Sequence, residues 1–125
     1  MLAELEERIA GERIRVRISI GVMERLAEVE DSVDALIARL RGSSMRLTRI
    51  AIREGMREAG HGGDLDKQFD DLCHREAFGA LCSLAYRAVL KFYADAHTTA
   101  ETLSGDPSGA AMETTGPTDG SGSTA

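Results

Sequence analysis

The stretch Arg13-Ile14-Arg15-Val16-Arg17-Ile18-Ser19 decides how the chain folds. Charged and β-branched apolar residues alternate through it without a break, so an extended backbone puts Ile14, Val16 and Ile18 on one face and Arg13, Arg15 and Arg17 on the other. Nothing else in the sequence alternates as well, and a strand alone leaves its backbone N–H and C=O groups unpaired. The expected partner is therefore a second copy of the same strand, paired antiparallel in an intertwined, two-fold symmetric homodimer. Ile14, Val16 and Ile18 then turn inward and form the dimer core with Leu26, Leu47 and Ile52. Three outward arginines from each copy share the opposite face. Should the stretch be helical, or pair within its own chain, this two-copy surface does not form.

Ser19 is placed to cap a helix in which Val22, Met23, Leu26, Val29, Val33, Leu36, Ile37 and Leu40 step by threes and fours. One helix is expected from Ser19 to about Leu40. Arg41-Gly42-Ser43 then supplies a turn and a second N-cap, and Met45, Leu47, Ile50, Ala51, Met56 and Ala59 fit a second helix closing near Gly60. On the other side of the strand, Leu2, Leu5 and Ile9 recur at helical spacing, which predicts a short helical arm over residues 1–12. The resulting organisation is an arm at 1–12, a dimerising domain at 13–60, a hinge at 61–64 marked by Gly60-His61-Gly62-Gly63, an acidic helical extension at 65–103 and a disordered tail at 104–125. In the extension Phe69, Leu72, Cys73, Leu81, Leu84, Ala85, Val89, Phe92 and Tyr93 form a broad apolar stripe that Gly79 is placed to bend or split.

Composition agrees with a mainly α fold. Of 125 residues, 42% are hydrophobic but only 4% aromatic, with no Trp, so the interior must be built from Leu, Ile, Val, Ala and Met. No apolar run approaches the roughly 20 residues of a membrane span, and the acidic, periodic start is unlike a signal peptide. A cytoplasmic protein is expected. Two cysteines, Cys73 and Cys82, are too few for a disulfide framework and too far apart for a CxxC pair.

The net charge of −6 hides two unlike regions. Between Arg13 and Arg57 ten arginines face six acids, while the acid excess lies after His61. Arginine presents a planar fork of donors suited to phosphate and to guanine edges. A two-stranded ribbon has the dimensions to enter a DNA major groove, and the backbone N–H groups at Ser43, Ser44 and Met45, with the helix dipole behind them, offer an anion site.

Two segments, Arg15-Val16-Arg17-Ile18-Ser19 followed by Met23-Glu24-Arg25-Leu26, and Ser43 with Leu47, Arg49 and Ala51-Ile52-Arg53-Glu54-Gly55-Met56, resemble the ribbon-helix-helix family of bacterial repressors, the MetJ/Arc type. The resemblance covers about residues 13–56. It implies a homodimer that reads DNA bases with Arg13, Arg15 and Arg17 and grips phosphate at the second helix start, here Ser43 and Ser44; Arg46 beside them is expected to contact phosphate as well. The span from Ser19 to Ser43 is roughly two turns longer than the family pattern, at about 3.6 residues per turn. Thr48 and Ile50 stand where an apolar and a polar residue respectively are expected.

The functional expectation is a sequence-specific DNA-binding homodimer acting by occupancy, as a transcriptional repressor, an antitoxin or a plasmid DNA-processing accessory. An apolar stripe exposed after Leu65 would favour further association on DNA or a protein partner through residues 65–103. The alternative is a helical protein-interaction and oligomerisation module without DNA binding. Cys73-His74 with Cys82 lacks a fourth ligand at usable spacing, and His61 and His97 fall in exposed or flexible surroundings. Asp64, Asp66, Asp70 and Asp71 adjoin a helix start, where acids are stabilising anyway. No catalytic residue, metal or cofactor is assigned, and an enzyme is not expected.

Overall fold

A computed structural model describes residues 3–104, with side chains to residue 96. Two antiparallel strands, β1 (Ala3–Ile9) and β2 (Glu12–Ile18), precede five helices: α1 (Ile20–Ala27), α2 (Val33–Arg41), α3 (Met45–Glu58), α4 (Leu65–His74) and α5 (Phe78–Ser104). The mainly α architecture with one strand at residues 13–18 is as the sequence indicates. Residues 3–93 form one compact unit, and from Ala94 the described chain is helical to Ser104. The expected tail lies outside the described residues apart from Ser104, and the His97 side chain lies outside them too.

The first correction concerns β1. Residues 3–9 are a strand, not a helical arm, and they pair with β2 in the register Ala3↔Ile18 to Ile9↔Glu12. The strand therefore has its ladder partner in its own chain, and the sheet requires no second molecule. Ala10 (φ 51°) and Gly11 (φ 81°) make the connection, both left-handed as a two-residue turn matched to the strand twist demands. Leu5 and Ile9, spaced by four, suit a helix face and a strand face equally.

The second correction is the break in the first helix. α1 ends at Ala27, and Ser32 starts α2 by accepting from the Ala35 N–H at 3.3 Å. The acidic stretch Glu28-Val29-Glu30-Asp31 between them absorbs the extra length. At the next junction Ser44 is the cap, accepting from the Leu47 N–H at 3.3 Å, while Ser43 turns the chain at φ 66°.

α3 lies across the inner face of β2. Ile14, Val16 and Ile18 meet Leu47, Ala51, Ile52 and Met56 in a single buried cluster that also holds Val22, Leu26, Leu36 and Leu40. The six residues expected to form a dimer core are thus buried within one chain. Gly55 permits the close crossing, because a Cβ there would come closer than 3.0 Å to Val16 Cγ1. Thr48 takes an apolar position, fully buried, and its hydroxyl donates to Cys82 Sγ at 3.7 Å.

The same cluster continues through Leu65, Phe69 and Leu72 of α4 into Leu81, Leu84, Ala85, Ala88, Val89 and Phe92 of α5. Residues 62–64 are exposed, and the core resumes at Leu65 on their far side. α4 and α5 are separated at Arg75–Ala77, and Gly79 stands in the first turn of α5 rather than at a bend. Among the described residues no helix is long and apolar enough to cross a membrane.

Candidate nucleic-acid interface

The hairpin presents its even-numbered β1 residues and odd-numbered β2 residues outward. Glu4, Glu6 and Arg8 stand beside Arg13, Arg15 and Arg17, a surplus of two cations on one face. The side chains of Arg13, Arg15 and Arg17 keep 68%, 38% and 36% of their surface exposed. The three are brought together as expected, but β1 supplies counter-charges. Arg17 Nε lies 2.9 Å from Glu4 Oε1 directly across the ladder, whereas Arg15 (3.9 Å to Glu4) and Arg13 (3.1 Å to Glu6) reach diagonally. Arg8, facing Arg13 in the register, pairs with no carboxylate among the described residues and donates to the Gly11 carbonyl at 3.2 Å.

The outer edge of β2 is partly closed. The two-residue turn makes Ile9 and Glu12 a hydrogen-bonded pair, so the N–H groups of Arg13, Arg15 and Arg17 point away from β1. His61, half-buried rather than free, accepts the middle one, with Nε2 3.2 Å from Arg15 N. A further strand on this edge has to displace that imidazole. Neither edge of β2 is thus fully open, which removes the structural reason for the intertwined ribbon.

Ser43, Ser44 and Arg46 cluster at the start of α3. Ser43 borders an open cleft of about 260 Å³ whose other walls are Leu40, Arg41, Gly79, Cys82, Ser83 and Tyr86. Arg41 and Arg46 are exposed and form no ion pair among the described residues. No hydrogen bond or ion pair among the described residues joins this group to the hairpin arginines.

The remaining arginines of α3 are engaged within the chain. Arg49 and Arg53 step by four along α3, Asp66 and Asp70 step by four along α4, and the two rows interlock. Arg49 reaches Asp70 at 2.6 Å and Asp66 at 3.3 Å, and Arg53 reaches Asp66 at 3.2 Å. Arg49 also lies over the Phe69 ring, 4.7 Å from its centroid. The sequence shows these charges without their pairing, and the matched spacing of four is the signal that could have joined them. Hydrogen bonds from Arg53 lead in holding the Asp66 carboxyl below its ordinary range. Burial works to raise the nearby Glu54, but hydrogen bonds from Arg57 (2.6 Å) and Arg53 (2.9 Å) outweigh it and hold that carboxyl low as well.

Cys73 is half-buried, while Cys82 is buried. Burial still raises the Cys73 thiol above the ordinary thiol range against the pull of Arg49, which keeps it protonated and weakly nucleophilic. Among the described residues no group of three or more His, Cys, Asp or Glu is arranged to hold a metal. No family model, curated protein or solved structure matches this chain.

Proposed function

We propose that this chain binds double-stranded DNA, with the outer face of the β1–β2 hairpin as the contact surface and occupancy rather than catalysis as its mode of action. The observation that carries the reading is the four-arginine face on a two-stranded ribbon, each guanidinium still accessible to solvent. A single chain supplies the ribbon, so the surface is smaller than the two-copy version and holds Arg8 in place of a second set. The Ser43 and Ser44 N–H groups already donate to the Leu40 and Arg39 carbonyls at 3.0 Å, so a phosphate grip at the start of α3 falls to the two hydroxyls and the exposed Arg46.

Glu4 and Glu6 set the strength of binding. Phosphates must displace them from Arg13, Arg15 and Arg17, and exposed ion pairs of this kind are worth about 0–1 kcal/mol each. Their cost is therefore modest. Fluorescence anisotropy on a mixed-sequence duplex at fixed salt tests the reading. Glu4→Gln with Glu6→Gln is expected to tighten binding severalfold, and Arg13→Ala with Arg15→Ala and Arg17→Ala to weaken it and flatten its salt dependence. Equal affinity for all three proteins, or binding indifferent to salt, rejects the hairpin as the contact surface.

A further inference from the structure

The break between α1 and α2 leaves an apolar groove that one continuous helix would not have. Ile20, Met23, Ala27, Val33 and Leu36 line it, and its volume is about 230 Å³. That lies below the ~300 Å³ at which small-molecule pockets begin, a size suited to one or two protein side chains. Ile20 stays 57% exposed there. Its rim is acidic: Glu30 is already held by Arg39 at 3.1 Å, but Glu24 and Asp31 have no ion pair among the described residues.

Elsewhere on the chain stands the complementary feature. Met45, at the first position of α3, is 60% exposed, more than any other large apolar side chain described. Arg41, four residues before it, and Arg46, directly after it, are both exposed and without an ion pair among the described residues. The segment from Arg41 to Arg46 thus offers an apolar knob and two uncompensated cations, and the α1–α2 groove an apolar lining with two uncompensated carboxylates.

We propose that the α1–α2 groove receives the start of α3 from a second copy of this chain, with Met45 in the groove and Arg41 and Arg46 against Glu24 and Asp31. Like-signed features cannot meet in this contact, which is the basis of its specificity. The two patches are different surfaces, so each copy carries one donor and one acceptor side and the contact repeats head to tail. A contact built on one knob is smaller than the ~1,200 Å² of stable interfaces, so the association is weak and reversible. Arg46 is shared with the phosphate grip proposed above and cannot serve both at once in one copy. Assembly measured without DNA reads the present contact alone.

Sedimentation velocity of the full chain over a wide range of concentration is the test. The wild type is expected to shift to larger species as concentration rises. A groove variant, Glu24→Arg with Asp31→Arg, and a knob variant, Met45→Ala with Arg46→Ala, are each expected to associate about tenfold or more weakly. Far-UV circular dichroism checks that both keep their helices, and Ile20→Glu replaces the groove variant should it unfold. The groove variant keeps an intact knob and the knob variant an intact groove, so a mixture of the two is expected to form pairs that do not grow further. A wild type that stays monomeric throughout, variants that associate as the wild type does, or a mixture that yields no pairs overturns the proposal.

Discussion

Gly55→Ala isolates the closeness of α3 to β2. In an ordinary helix interior this change stabilises by about 1 kcal/mol, because Gly loses more backbone entropy than Ala on folding. Here the new Cβ would overlap Val16 Cγ1, with Val16 Cβ at 3.4 Å and Arg17 N at 3.5 Å leaving no room to turn aside. Relief requires α3 to back away from β2, and Leu47, Ala51, Ile52 and Met56, all at 1% exposure or less, must move with it. Overpacking of this kind costs about 1–3 kcal/mol, and the rigidity of the crossing puts this case near the upper end, for a net loss of about 2 kcal/mol. Val16→Ala removes the clashing methyl. In that background Gly55→Ala should be neutral or slightly stabilising, so the two changes couple by about 2 kcal/mol or more. Urea unfolding followed by circular dichroism gives the four stabilities, provided the denaturant slope is unchanged across the cycle. Gly55→Ala as stable as the wild type, or strictly additive with Val16→Ala, refutes the crossing described here.

Two further outcomes bear on the rest of the core. Glu54 and Asp66 have folded-state pKa values below their ordinary range, so their contribution is present above the unfolded value of about 4 and is lost as pH falls through the folded one. Glu54→Gln should cost roughly 1–2 kcal/mol at neutral pH and nothing in strong acid, and a pH-independent difference in denaturation midpoints would contradict the Arg53–Glu54–Arg57 arrangement. Truncation after Gly63 removes Leu65, Phe69, Leu72, Leu81, Leu84, Val89 and Phe92 from the shared cluster. The fragment is expected to lack a cooperative melt, and a sharp transition near that of the full chain would show that α4 and α5 are dispensable.

Local periodicity is legible in the residues themselves. The alternation at 13–18 specifies β2 and its two faces, and apolar spacing specifies α3 nearly to its ends, because burial on one face imposes its period directly on neighbouring residues. Helix breaks are less legible. Val29 and Val33 keep the helical spacing of α1 running into α2, so the apolar pattern passes over a break that the Ser32 cap and the acidic turn impose.

β1 is hidden by a single residue. Ala3, Leu5, Glu7 and Ile9 face inward, and Glu7 interrupts their apolar period; Arg87 of α5, eighty positions away, compensates it at 3.2 Å. The His61 contact to the Arg15 N–H and the pairing of Arg49 and Arg53 with Asp66 and Asp70 are of the same kind. Sequence by itself determined which residues are apolar on which face of β2 and α3, since that follows from backbone geometry over a few residues. Only the tertiary structure decided what each face meets, because charge compensation and strand pairing depend on where distant segments return, and no local period encodes that.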